Sequence, residues 1–508
     1  MHDTIDLLPK VATSIEGLDA ILNGGLPQGC LYLVKGESGT GKTTLGLQFL
    51  LEGVRAGQST LYITLSESIR EIRSVAASHG WGLEGMNIHE LSIVHSSERL
   101  VVEQTIFPPS QVELREVIDE IVEVVKRTQP ERVVFDSLHE ISLLAETALR
   151  YRHQILAIRQ VMVECGATVL FLDREATASS GATLHSLVHG VITLEQLPRE
   201  YGNVRRRLRV AKMRGMPYQE GYHDFRIQTG GLHVYPRRAD GSAVEQRRSP
   251  IESGVAELDA LLGGGLEPNT ACLLIGQTGT GKTTTALLFA RAVLKKGGKA
   301  TIFMFEERTD TLYQRMAGLG LDLRPFVASG DLHIHEINAG EISPGEFTHL
   351  VNQEVKVRGI EVVVIDSLNG YLNAMPQERQ LLIQMHELLA FLGKAQVLTM
   401  LTLTQHGMLG ADPRTEIDMS YLADCVLLLR RFEAEGMIRQ AISVVKKRHG
   451  IHEKSIREIQ LGANGVLVGE PLTSFQGILT GYPVFTGHQK SLLDMPDIGE
   501  GDNLAPNE

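Results

Sequence analysis

Short apolar runs alternate with longer amphipathic stretches along most of the chain. CLYLVKG at 30–36 is an apolar run closed by a glycine, TTLGLQFLLEGVRAG at 43–57 spaces its apolar residues as a helix does, and STLYITLS at 59–66 is rich in strand-forming residues. Further on, VELREVIDEIVEVVKRTQ at 112–129 reads as an amphipathic helix, and RVVFDS at 132–137 and ATVLFLDRE at 167–175 read as buried strands. Strands that are apolar throughout are covered on both faces. Their alternation with helices predicts an α/β fold, a mostly parallel sheet with helices on both faces.

The pattern is written twice. TSIEGLDAILNGGLPQG at 13–29 returns as IESGVAELDALLGGGLEPN at 251–269, with Asp19 and Asp259 separated by 240 positions. KGESGTGKTT and IGQTGTGKTT keep that offset, which falls to 230 between VVFDSL and VVIDSL and becomes 234 between AKMRG and VKKRH. Length changes of this kind belong in loops. A chain of 508 residues exceeds one ordinary core, so we expect an N-terminal domain over 1–236, a linker over 237–250 and a C-terminal domain over 251–486. The polar, aperiodic stretch PRRADGSAVEQRRSP carries the boundary, and an acidic tail over 487–508 closes the chain.

Two glycine loops carry the candidate chemistry. Gly36-Glu37-Ser38-Gly39-Thr40-Gly41-Lys42-Thr43 fits GxxxxGK[ST], as does Gly276-Gln277-Thr278-Gly279-Thr280-Gly281-Lys282-Thr283, each between a predicted strand and a predicted helix that continues through Thr44 or Thr284. Backbone N–H groups that wrap a polyphosphate need glycines for close approach, and a helix N-terminus adds positive potential. Lys42 and Lys282 suit the β- and γ-phosphates, and Thr43 and Thr283 suit Mg²⁺. Asp136 and Asp366 each end an apolar run, where a carboxylate can hold the metal's water shell. Glu67, Glu306 and Glu307 follow the strand after each loop helix, where a base for the attacking water is expected. The copies differ here: ITLSES at 63–68 puts Ser66 where FMFEER at 303–308 has Glu306. Side chains alternate along a strand, so one member of each pair is expected to face the phosphates.

Composition narrows the function. The 49 basic and 61 acidic residues leave a net charge of −12, and 5% aromatic content makes base-stacking platforms scarce, so nucleic acid is disfavoured as a partner. The basic strip NVRRRLRV at 203–210 is the feature that keeps a nucleic-acid motor as an alternative. The four cysteines are far apart and make no metal-ligand spacing, which predicts reduced, buried thiols. No apolar run approaches the roughly 18 residues of a membrane span, and the N-terminus has no secretory signal pattern, so a cytoplasmic protein is expected.

With the duplicated loops, the FEE and IDS segments, a late K-x-R in each copy and a closing SF-x-x-I-x-x-G-x-P, the chain resembles the KaiC family over almost its whole length. These are double-domain ATPases of the RecA superfamily. The resemblance implies two tandem RecA-like P-loop NTPase domains, a hexamer with ATP between neighbouring subunits, protein signalling partners, and a C-terminal domain that phosphorylates its own chain. By position it implies interface nucleotide contacts at Lys212, Met213 and Arg214 and at Lys446, Lys447 and Arg448, with further contacts at Ser78, His452 and Lys454. The family's Ser-Thr acceptor pair falls on Ser420-Tyr421, so a single phosphoacceptor, Ser420, is expected. The resemblance also assigns the base to the first glutamate of each pair, which makes the N-terminal site slow where Ser66 stands. A nucleotide-gated scaffold without kinase activity is the other alternative.

Overall fold

The computed structural model describes residues 8–91, 109–174, 184–198, 202–237, 249–373, 380–405, 421–434, 436–463, 465–478 and 484–485. The chain divides into two compact units. The first is Met1–Gly241 with Asn338–Val357 and Pro376–Leu388, and the second is Ser242–Ile337 with Arg358–Met375 and Leu389–Glu508.

The sheet of the first unit is built from β1 (Leu31–Lys35), β2 (Thr60–Thr64), β3 (Asn87–Glu90), β4 (Arg132–Asp136), β5 (Thr168–Asp173), β6 (Gly190–Leu197), β7 (Arg205–Met213), β8 (His223–Gln228) and β9 (Gly231–Tyr235). Their order across the sheet is β9-β8-β7-β6-β1-β5-β4-β2-β3. From β3 to β6 all neighbours are parallel. Successive residues feed two different cores: Tyr32 and Val34 join the cluster with Leu45, Leu47 and Phe49, while Leu31 and Leu33 join that with Ile121, Val125 and Ile158. That two-sided burial is why these strands read as unbroken apolar runs.

Helices cover both faces. The ones that matter for the site are α1 (Lys42–Arg55), α2 (Ile69–Ser78), α3 (Pro109–Thr128), α4 (Leu138–Ala145) and α5 (Ala148–Glu164). Ser68 caps α2 reciprocally with Glu71, and Thr147 caps α5 by accepting from the Arg150 N–H.

In the second unit, β10 (Ala271–Gly276), β11 (Ala300–Met304), β12 (Leu332–Glu336), β13 (Val362–Asp366), β14 (Leu398–Thr404), β15 (Cys425–Ala434), β16 (Met437–Lys447), β17 (Ile456–Gly462) and β18 (Gly465–Pro471) repeat the arrangement. The order β12-β11-β13-β14-β10-β15-β16-β17-β18 is that of the first unit run from the other edge. Its loop helix is α6 (Lys282–Lys295), followed by α7 (Thr309–Gly318) and, after β13, α8 (Leu368–Asn373).

The parallel sheet anticipated from the sequence is the centre of each unit, and three antiparallel strands extend it on one side. These pair as β6–β7, β7–β8 and β8–β9 in the first unit and as β15–β16, β16–β17 and β17–β18 in the second. Both copies place one extra residue in this extension, just before the K-x-R lysine. Val191 pairs with Lys212 and Ile192 with Val210, leaving Ala211 over, and Val426 pairs with Lys446 and Leu427 with Val444, leaving Val445 over. A bulge of this sort redirects the side chains that follow it.

Candidate functional site

In the first unit the glycine loop leaves β1 and turns into α1. A Cβ on Gly36 would stand 2.5 Å from the Leu194 carbonyl oxygen, and one on Gly41, at φ 98°, would stand 2.6 Å from Ile227 Cδ1. The loop is closed enough that only glycine serves at either place. Lys42 opens α1 and donates from Nζ to the carbonyls of Gly36 at 2.7 Å and Glu37 at 3.0 Å. Burial pulls its pKa down, with Asp136, Glu37 and Asp173 pulling the other way. An arriving phosphate would favour the charged lysine.

Thr43 Oγ1 donates to Asp136 Oδ2 at 3.1 Å, and Tyr62 OH donates to the same oxygen at 2.7 Å. Burial raises the Asp136 pKa against those hydrogen bonds and Lys42. Hydroxyl and carboxylate at hydrogen-bonding distance beside a polyphosphate cradle are the oxygen ligands that Mg²⁺ takes, so the residues fit the ion. The peptide bond after this aspartate is cis here, as after Asp366.

Lys42, Thr43 and Asp136 line a cleft of about 290 Å³, together with Ser66, Glu67, Ser137, Glu140 and Arg174. Strand alternation had suggested that one member of the Ser66–Glu67 pair would face the cleft, yet both line it. The strand ends at Thr64, and Thr64 Oγ1 accepts from the Glu67 N–H at 3.0 Å and donates to its carbonyl at 2.7 Å. Beyond that point the chain is a turn, where alternation no longer applies. Glu67 has its pKa raised, first by burial and then by Asp136 and Glu71. Its Oε2 is buried and has no hydrogen-bond partner among the described residues.

The second unit builds the same cradle with different carboxylates. Gly281 at φ 92° precedes Lys282, whose Nζ donates to Gly276 O at 2.9 Å and Gln277 O at 2.8 Å. Burial brings the Lys282 pKa down to about 8. Asp366 accepts from Thr402 Oγ1 and from Thr283, and burial raises its pKa. Glu306 Oε1 accepts from Ser367 Oγ at 2.6 Å, which holds it beside Asp366. Glu307 instead makes a two-point pair with Arg315, Nε to Oε1 at 3.1 Å and Nη2 to Oε2 at 2.6 Å. Arg315 Nη1 also donates to Thr284 Oγ1 at 3.0 Å, which fixes α7 to the loop helix. Of the two glutamates, Glu307 is therefore clamped through both carboxylate oxygens by Arg315, while Glu306 is held through one by Ser367.

The K-x-R residues lie elsewhere. Lys212 Nζ donates to the carbonyls of His185 and, at 2.7 Å, Val188, while Arg214 donates to Ser186 O at 3.0 Å. Lys446 donates to Ala423 O at 2.8 Å, Lys447 to the carbonyls of Leu262 and Gly265, and Arg448 pairs with Asp424 at 3.1 Å. Lys212, Met213, Arg214 and Ser78 do not line the cleft of their own unit. Ser78 ends α2 and donates to Val75 O at 2.7 Å. His452 is half-buried and Lys454 exposed on the segment before β17, and Ser420 lies outside the described residues. The four cysteines form no disulfide.

Two adjacent features were missed from sequence. Arg174 lines the cleft, and Asp173, at the end of β5, is buried with its pKa raised to about 6 by burial, against the Arg174 N–H, His139 and Lys42. ATVLFLDRE carried the signal, an acid closing an apolar run as in VVFDS.

Two Lys–Thr–Asp cradles, each at the end of a parallel strand, define a tandem ATPase of RecA-like architecture. The family model for the KaiC ATPase matches residues 11–239 and again 251–473, and the chain belongs to that family. A circadian clock oscillator protein KaiC of Thermostichus vulcanus is 28% identical over 488 residues, 93% of this chain and 92% of its own. The circadian clock protein KaiC3 of a Synechocystis strain is 26% identical, covering 96% of both chains, and a circadian clock oscillator protein KaiC of Acaryochloris marina is 28% identical over 93% of this chain and 91% of its own. Among the described residues, no helix is long and apolar enough to cross a membrane.

Asp173 yields a stability prediction. Its folded pKa lies above its unfolded value, so its ionisation opposes folding: the penalty is absent below about pH 4, grows as pH rises towards 6 and is complete above. Asp173→Asn should stabilise the first unit at pH 7.5 by on the order of 1–3 kcal/mol, with the gain vanishing near pH 4. Denaturant unfolding at both pH values measures it. A gain that grew towards acid would contradict the assignment.

Proposed function

We propose that the protein binds Mg²⁺·ATP in both units, hydrolyses it, and in its C-terminal unit transfers the γ-phosphoryl group to Ser420 of its own chain, as a signalling ATPase that assembles into a homo-hexamer with nucleotide at subunit interfaces. The observation that carries the ATPase reading is the repeated set of Lys42, Thr43 and Asp136 and Lys282, Thr283 and Asp366, each assembled from a glycine loop and the end of a parallel strand two places across the sheet.

Mg²⁺ would be held by Thr43 with Asp136 and by Thr283 with Asp366, and supplies charge to offset that on the β- and γ-phosphates. Lys42 and Lys282 neutralise the same phosphates, and the loop N–H groups orient them. Glu306, held by Ser367, accepts the proton of the attacking hydroxyl, from water or from Ser420. Supply of Lys212 with Arg214, and of Lys446 with Arg448, to a neighbouring subunit's nucleotide is supported by their places on the bulged strand extensions rather than at their own loops. The relatives are named as circadian clock proteins, and the hexameric autokinase reading is consistent with membership of the KaiC family.

Part of the basic strip behind the nucleic-acid alternative is engaged within the unit. In the basic strip, Arg205 pairs with Asp224 at 3.0 Å and Arg207 with Glu195 at 2.8 Å while lying over Tyr222. These arginines are spent within the unit.

Intact mass after incubation with Mg²⁺·ATP counts phosphates per chain. We expect one on the wild type and none on Ser420→Ala or Glu306→Gln. Phosphate retained on Ser420→Ala would move the acceptor, and none on the wild type with turnover intact would leave an ATPase without kinase activity. With the first unit silenced by Lys42→Ala, Glu306→Gln should lower turnover by about 10²- to 10⁴-fold.

A further inference from the structure

The two units differ at several positions around the missing glutamate. The second unit has Phe305, Glu306 and, 4 residues after Asp366, Gly370; the first has Leu65, Ser66 and, 4 residues after Asp136, Glu140. A Cβ on Gly370 would lie 2.4 Å from Phe305 Cβ, so the backbone of the second unit leaves no room for a side chain there, and the Phe305 ring packs against Tyr371. In the first unit Leu65 packs half-buried against the core under α3 and α4. Position 140, in the first turn of α4, then carries a carboxylate, and that residue lines the cleft with Ser66, Glu67 and Asp136.

We propose that Glu140 is a further catalytic residue of the N-terminal unit: its carboxylate stands in for the one lost at Ser66 and takes the proton of the attacking water. This rests on the reading of that cleft as an ATP-hydrolysing site. The water oxygen forms a bond to the γ-phosphorus and its proton passes to Glu140. The bond from that phosphorus to the bridging oxygen breaks, and ADP leaves with the electron pair. No hydrogen bond or ion pair among the described residues occupies the Glu140 carboxylate. A second difference lies beside it. Val75 stands where the second unit has Arg315, so Glu67 has no clamp of the kind that holds Glu307, and its buried Oε2 has no hydrogen-bond partner among the described residues.

Steady-state ATP turnover of the full chain carrying Lys282→Ala, which leaves the N-terminal unit as the working site, tests this. Glu140→Gln should lower kcat by about 10²- to 10⁴-fold with KM unchanged. Adding Ser66→Glu to Glu140→Gln should restore most of the loss, because the carboxylate returns to the place it holds in the second unit. A residue with a merely structural role would not be rescued from a different element. Unchanged kcat in Glu140→Gln, or a loss that Ser66→Glu fails to recover, would overturn the proposal while leaving the ATPase reading standing. If the Lys282→Ala chain binds ATP yet shows no turnover, the hydrolytic reading of that unit falls, and the role of Glu140 with it.

Discussion

A threonine hydroxyl at the start of a helix meets an aspartate at the end of a strand two places across the sheet from the loop's own strand. Everything proposed for the protein depends on that meeting. Thr43 reaches Asp136, and Thr283 reaches Asp366, because β1 and β4, like β10 and β13, are parallel strands on either side of one intervening strand, so that both C-terminal ends open at the same edge. The glycines permit the loop to fold back sharply enough for Lys42 and Lys282 to reach its carbonyls, and burial keeps both lysines ready to welcome an anion. Ligand sites at the carboxyl ends of parallel strands follow from this geometry in α/β sheets generally.

Around that shared cradle the two units have diverged through side chains alone. The second unit holds one glutamate beside its aspartate through Ser367 and clamps the other with Arg315. The first lacks both the leading glutamate and the clamp, and places an acid on α4 instead. The glycine-loop backbone is the same in both units, while the acids set beside it come from different elements in each. Different turnover in the two units is the outcome this divergence predicts.

Much of this was legible in the sequence because the signals are local. The glycine loops, the apolar strands and the closing aspartates each occupy fewer than about ten residues, and the repeat confirmed one copy against the other. The antiparallel extension was less legible, since NVRRRLRVAKMRG mixes charge and apolar residues over a bulge and reads as a solvated basic strip. The status of Glu306 and Glu307 needed the contact with Ser367 and Arg315, which no spacing announces. Glu140 was invisible for a related reason: its meaning depends on the fold bringing the first turn of α4 to the same cleft as Ser66 and Glu67, residues far apart in the chain.

The most direct measurement of the central claim is the number of nucleotides bound per chain, by titration with a non-hydrolysable ATP analogue and Mg²⁺. The account predicts two for the wild type, one for Lys42→Ala, one for Lys282→Ala and none for the double variant, all folded by circular dichroism. Fewer than two on the wild type, or two retained on either single variant, would contradict it.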